Sequence, residues 1–344
     1  MATTRKAETR ISADGRIAVI GAGSYGTALA IQFSRAGSPT VLWGRDRERL
    51  EQMARDRYNA AYLDGIRFPD ALELSPDLST AIAQAEHVVI SVPSKSLRTM
   101  LETVAATGVP IRGLCWATKG FELDTGMLPH QVVAETMGSD LPTAILSGPT
   151  FAAEVAAGLP SAMTVASADE AYAHELAVAI SSETFRAYLS SDMVGVEVGG
   201  ATKNIYAIGA GLSDGLGFGA NTRIALLTRG LAEMTRLGLA LGARTETFMG
   251  LAGMGDLVLT CTDDQSRNRR FGLALAKGTT PEQARDGIGQ VVEGYYAARA
   301  VRQVAEREHI DMPIAEQIYQ ILYEGLDPKT AVGELMGRPI MREH

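Results

Sequence analysis

Two lysines stand in contexts that oppose a free surface charge. Lys203 lies in VGGATKNIYAIGAG, an otherwise apolar stretch with helical spacing, and Lys119 lies in WATKGFE, just past an apolar run. A lysine among residues that seek burial loses hydration, which lowers its pKa and makes it a better acid and base. Further on, Asp256 and Thr260 are four residues apart in GLAGMGDLVLTCTDDQSRNRRFG, residues 250–272, and share a face if the segment is helical. Arg267 and Asn268 follow, and a guanidinium beside Asp, Thr, Ser and Asn side chains suits a polyhydroxylated phosphate. The chemistry implied is proton transfer at an oxygen, with an anchor for a remote anion. The competing readings are lysines that snorkel to water and a basic run that is a solvated face. The five histidines, His87, His130, His174, His309 and His344, have no motif context and are read as surface or structural.

A second signature says what such groups would work beside. Arg16 to Gly37 read RIAVIGAGSYGTALAIQFSRAG, an apolar run, glycines at 21, 23 and 26, and an amphipathic segment closed by a glycine. That is a strand, a tight turn and a helix. Gly21 permits the turn, Gly23 lets the backbone approach a pyrophosphate, and Gly26 lets helix and strand pack closely, while the helix N-terminus faces the anion. The turn suits the pyrophosphate of a dinucleotide, and a carbonyl reduction that uses a nicotinamide dinucleotide needs a proton donor at the oxygen while hydride reaches the carbon.

Further apolar runs, TVLW (40–43), HVVISV (87–92), IRGLCWAT (111–118), TAILSG (143–148) and SAMTVAS (161–167), alternate with helix-like segments such as 47–57 and 97–107. This predicts an α/β fold, a doubly wound, mostly parallel sheet with helices on both faces. From about Asp192 the text becomes helical, as in TRIALLTRGLAEMTRLGLALG (222–242). The expected division is a polar tail over 1–15, a dinucleotide-binding domain over 16–191 and an all-α substrate domain over 192–344. The glycine-dense stretch GAGLSDGLGFGAN (209–221) reads as a connector between helices, since no strand feeds it.

Composition bounds the class. At 344 residues the chain exceeds the ~250–300 at which a single core stops growing. Acidic residues number 40 against 32 Lys plus Arg, a net field that disfavours nucleic acid. No stretch approaches the ~18 consecutive apolar residues of a membrane span, and the polar first residues lack a secretory h-region. The two cysteines, Cys115 and Cys261, are far apart and near no histidine pair, so neither a disulfide framework nor a metal site is indicated and a reducing cytoplasm fits. Both are read as small buried apolar residues.

After TVLW come Gly44, Arg45 and Asp46. A carboxylate here favours the ribose diol of NAD, an arginine the extra phosphate of NADP. Arg45 comes first, with Arg49 one turn on, so NADP is favoured and NAD remains open.

Taken together, GAGSYGTALA, VLWGRD, VVISVPS, WATKGFE, LSGPTFAAEVA, GGATKNIYAIGAGLSDGLGFGAN, GMGDLVLTCTDDQSRNRRFG and GQVVEGY make the chain closely resemble the bacterial-type NAD(P)-dependent glycerol-3-phosphate dehydrogenases over residues 15–340. The resemblance implies a Rossmann-like first domain and interconversion of dihydroxyacetone phosphate and sn-glycerol 3-phosphate, which supplies the backbone of membrane phospholipids. It implies Lys203 as proton donor or acceptor and Lys119 at substrate and cofactor, with Asn204, Asp256, Thr260, Ser266, Arg267 and Asn268 at the substrate. At the cofactor it implies Ser24, Tyr25, Arg45, Gly148, Thr150, Ala152, Val291 and Glu293, with Arg267 serving there too. One rival is a two-domain reductase of the 3-hydroxyacid or ketopantoate type, with a carboxylate substrate. Another is a dinucleotide-binding redox sensor without catalysis, which has no need for both lysines and an Arg-Asn phosphate site. A homodimer through the helical domain is left open.

Overall fold

The computed structural model describes residues 15–83 and 85–339, so the expected tail lies outside the described residues except for Gly15. The described residues hold ten strands: β1 (Arg16–Ile20), β2 (Thr40–Trp43), β3 (Tyr58–Asn59), β4 (Leu63–Arg67), β5 (Leu72–Ser75), β6 (Ala85–Ile90), β7 (Gly113–Trp116), β8 (Thr143–Ser147), β9 (Ser161–Ala166) and β10 (Phe185–Ser190). Eight of them form one sheet in the order β10-β9-β8-β7-β6-β1-β2-β5, and β3 and β4 make a separate antiparallel pair. All neighbours in the large sheet are parallel except β8 and β9. The five apolar runs read as strands are β2, β6, β7, β8 and β9 within a few residues at their ends. Central strands are buried on both faces, which is why they read as continuous apolar runs rather than alternating ones. Two apolar clusters cover the two faces, one built on Val19, Leu29 and Leu146 and the other on Ile20, Trp116 and Leu101.

Beyond Ser190 every element of the described residues is helical, around a third cluster that includes Ile205, Met234, Phe271 and Val301. Its axis is the helix Met193–Gly215, 23 residues or about 35 Å long. It is apolar nearly all round, as a helix surrounded by others must be. Asp192 starts it, its Oδ1 accepting from Gly195 N at 2.9 Å. Glu197 ties its first turns to the sheet, because the carboxylate accepts from Trp116 Nε1 at 3.0 Å and from His130 N at 2.9 Å.

The connector expected at 209–221 is corrected. Residues 209–215 continue that central helix, a turn occupies 216–219, and the next helix is Ala220–Ala240. The glycines there serve packing, not bending. A Cβ on Gly211 would stand 2.0 Å from the carbonyl oxygen of Arg269, and one on Gly272 would stand 2.1 Å from that of Ile208. Paired glycines therefore let the helix Arg267–Ala276 lie directly on the central helix. Lys203 and Arg267, one on each helix, are set by that contact.

Candidate active site

A cleft of about 980 Å³ opens at the carboxyl ends of β1, β2, β6 and β7 and runs to the helical half. Ligands of open α/β sheets bind at this edge. At one end lies the turn from β1 into the helix Ser24–Arg35. Gly21 has φ +121° and its Cβ would meet the Ser91 carbonyl oxygen at 2.2 Å; a Cβ on Gly26 would meet the oxygen of Gly21 at 1.9 Å. Gly23 faces open space, so its backbone is accessible. Gly21 and Gly26 thus have a steric reason within the protein, Gly23 leaves its backbone open to a ligand, and the turn with its helix N-terminus fits a dinucleotide pyrophosphate.

At the other end Lys119, three residues past β7, and Lys203, in the middle of the central helix, meet on one carboxylate. Lys119 Nζ donates to Asp256 Oδ2 at 2.6 Å and Lys203 Nζ donates to Asp256 Oδ1. Lys203 also donates to Thr260 Oγ1 at 3.0 Å, whose own proton goes to the Asp256 carbonyl at 2.6 Å. Asp256 and Thr260 share a face of the helix Asp256–Thr262. The Asp256 side chain is 2 % exposed and the two lysines 14 % and 10 %. Burial opposes the charge on all three, but the two ammonium groups outweigh it at Asp256 and hold that carboxyl below the usual range. Burial also works against Lys119, yet Asp256, Tyr25 and Glu293 raise it overall. Lys203 is the group that gives way: burial, reinforced by the Lys119 charge, lowers it to about 8 despite Asp256. Two cations on one anion leave a surplus positive charge facing the cleft.

Beside the lysines, the helix Arg267–Ala276 begins with Ser266 as its cap. Arg267 is half-buried and donates to Gln290 Oε1 at 3.1 Å. Of the basic run only Arg267 lines the cleft, since residues two apart on a helix point about 200° apart. Arg269 is buried instead, paired with Asp214 and with Asp264 at 2.9 Å. Asn268 donates to Asn204 Oδ1 at 2.8 Å and accepts from Gly294 N at 2.8 Å, while Asn204 donates to Glu293 Oε2 at 3.4 Å. This chain links the central helix to the segment carrying Val291 and Glu293.

The cleft also receives Ser24, Tyr25, Arg45, Thr150, Ala152, Val291 and Glu293. Tyr25 and Thr150 hydroxyls lie 2.6 Å apart. Arg45 is exposed at the rim with no protein partner among the described residues, whereas Asp46 is occupied as a helix cap, accepting from Arg49 N at 3.0 Å. Two expected residues do not line it. Asp256 lies behind the lysines, and Gly148 lies behind the wall, where a Cβ would press on Met163 Cα at 3.0 Å. Sequence reasoning missed Lys95, Arg285 and Gln290, which also line the cleft: Arg285 comes from a segment without a local signature, while Lys95 and Gln290 sit beside or within the VVISVPS and GQVVEGY blocks without having been singled out. Both cysteines are buried, with thiols pushed up by burial.

The profile of the NAD-dependent glycerol-3-phosphate dehydrogenase N-terminus matches residues 16–173, and that of the C-terminus matches residues 192–333. The chain belongs to the NAD-dependent glycerol-3-phosphate dehydrogenase family. It is 53 % identical over 321 residues to a glycerol-3-phosphate dehydrogenase [NAD(P)+] of Photobacterium profundum, covering 93 % of this chain and 95 % of that one. An enzyme of the same name from Escherichia coli O1:K1 / APEC is equally similar, with the same coverage. The crystal structure of glycerol-3-phosphate dehydrogenase from Coxiella burnetii has a TM-score of 0.91 at 42 % identity, covering 95 % of this chain and all of that one. A ketopantoate reductase from Ralstonia eutropha JMP134, at 12 % identity and a TM-score of 0.56 over 92 % of this chain and 99 % of that one, shares the fold alone.

Proposed function

We infer that this chain interconverts dihydroxyacetone phosphate and sn-glycerol 3-phosphate by hydride transfer with NAD(P)H. The observation that carries the reading is the pair of buried lysines on one carboxylate, in the same cleft as the glycine-rich turn and Arg267. When bound, the reduced nicotinamide supplies hydride to the ketone carbon. Lys203 delivers a proton to the ketone oxygen: with its pKa near 8 it holds that proton at neutral pH and parts with it readily. Lys119 stays charged and keeps a positive field beside that oxygen as negative charge develops on it. Asp256 and Thr260 hold the Lys203 amine in place. Arg267, with Ser266 and Asn268 at the start of its helix, holds the phosphate, and Asn204 lies against the same end of the substrate. Anchoring the phosphate converts remote binding energy into alignment of the carbonyl.

The glycine turn, Ser24, Tyr25, Thr150, Ala152, Val291 and Glu293 bind the cofactor, and Gly148 shapes that wall from behind. Arg45 favours NADP over NAD, because it is free to meet a 2′-phosphate while Asp46 is committed to its cap. The dinucleotide-binding unit is residues 16–191 and the substrate unit residues 192–344. No helix among the described residues is long and apolar enough to cross a membrane, and a cytoplasmic homodimer feeding phospholipid synthesis fits this activity. The test is spectrophotometric loss of NADPH or NADH with dihydroxyacetone phosphate, against ketopantoate as control. Turnover of the phosphate ester alone supports the reading, and turnover of ketopantoate alone overturns it.

A further inference from the structure

We propose that Asn59 and Arg49 are positioning residues for the pyrophosphate of the dinucleotide: they hold the Ala22 carbonyl at the back of the glycine-rich turn and so aim the Gly23 N–H into the cleft. The proposal rests on the cofactor reading above and adds two residues to it, Asn59 buried behind the turn and Arg49 on the cleft wall. Asn59 is completely buried in the short strand β3, so it does not touch a ligand itself. Its Nδ2 donates to Ala22 O at 3.3 Å and to Thr27 Oγ1 at 2.9 Å. Its Oδ1 accepts from Arg49 Nη2 at 3.0 Å, and the same Nη2 donates to Ala22 O at 3.1 Å. Two donors from outside the turn therefore converge on one carbonyl within it.

The consequence follows from peptide geometry. In a planar trans peptide the carbonyl and the following N–H point in opposite directions. Fixing Ala22 O toward Asn59 and Arg49 turns the Gly23 N–H to the other side. Open space lies around Gly23, where an added Cβ would meet nothing within 4 Å, and Ala22 and Gly23 both line the cleft. Were this peptide to rotate, a carbonyl oxygen would face the phosphates and repel them, and the paired donors oppose that rotation. Thr27, on the helix that follows the turn, fixes Asn59 from the other side. The Arg49 guanidinium is itself held, lying 4.3 Å from the centre of the Tyr62 ring. The β3–β4 pair is thus a brace for the phosphate turn, and Arg49, which also lines the cleft beside Arg45, has its Nη2 committed to that brace.

The decisive variant is Asn59→Asp. It keeps the size of the side chain and the contact with Arg49, but sets a carboxylate oxygen against Ala22 O where a donor stood. ADP-ribose, which carries the pyrophosphate, and adenosine 2′-monophosphate, which lacks it, are titrated calorimetrically on the full chain, with thermal melts alongside. We expect the Kd of ADP-ribose to rise about tenfold, while that of the monophosphate stays within about twofold. Arg49→Met removes the other donor and is expected to give the same selective loss, smaller in size; it decides alone if Asn59→Asp does not fold. Unchanged ADP-ribose affinity in a folded variant, or equal weakening of both ligands, overturns the proposal. Wild-type protein that binds neither ligand overturns the cofactor reading, a result separable from any failure of the variants.

Discussion

Replacing Lys203 with methionine is expected to stabilise the protein while removing its activity. The Lys203 side chain is 10 % exposed and shares Asp256 with Lys119, and burial pushes its pKa down to about 8. The charged form is therefore disfavoured in the folded state by about 3 kcal/mol at pH 7, a cost that is absent once the amine is gone. Methionine fills nearly the same volume, and Lys119 stays on Asp256, so neither a cavity nor an uncompensated carboxylate offsets the gain. The sign against pH is fixed. Below about 8 both folded and unfolded chains carry the proton and the full cost applies. Between about 8 and 10.5 only the unfolded chain holds it, so wild-type stability climbs and the advantage of the variant shrinks. Urea unfolding at a series of pH values measures this directly. A variant less stable than wild type at pH 7, or a difference that does not change up to pH 10.5, refutes the reasoning.

Three further outcomes follow from the same geometry. Arg267→Ala removes the proposed charged partner of the phosphate and is expected to raise the KM for dihydroxyacetone phosphate about 10²-fold with a smaller change in kcat, read from steady-state kinetics. Arg45→Ala raises the KM for NADPH about tenfold and leaves that for NADH nearly unchanged, which comparison of the two cofactors checks. Gly272→Val drives a side chain into the Ile208 carbonyl and separates the helices that carry Lys203 and Arg267, so it costs more than about 3 kcal/mol in urea and turnover falls with it.

The parts of this fold legible in the sequence are those whose cause is local. Buried parallel strands such as β6 and β7 show as apolar runs, and the turn at Gly21–Gly26 shows because its glycine spacing and the strand and helix that flank it lie within one short segment, even though the space Gly21 preserves is taken by Ser91. The edge strand β10 does not show: FRAYLS is half-exposed and too short for a clear period. Gly211 and Gly215 are legible as glycines but not as helix, because what they accommodate is a second helix about 60 residues on, and Gly272 answers Gly211 from that side, while Gly209 makes room for Ile318 and Leu226. The site follows the same division. The spacing of Asp256 and Thr260 predicts their shared face, and the apolar setting of Lys203 predicts its burial. That both lysines meet on Asp256, and that Arg269 pairs with Asp214 rather than facing the cleft, depends on helix phase and on contacts across 53 to 137 residues. Asn59 carries no local sign at all, since its partner Ala22 is 37 residues away.

The central claim is that the Lys203 amine moves the proton at the substrate oxygen. Lys203→Ala, assayed for reduction of dihydroxyacetone phosphate alongside NADPH binding by fluorescence titration, tests it most directly. Turnover is expected to fall by about 10³-fold or more while the NADPH Kd stays within a few-fold of wild type. A variant that binds NADPH and turns over near the wild-type rate would contradict it.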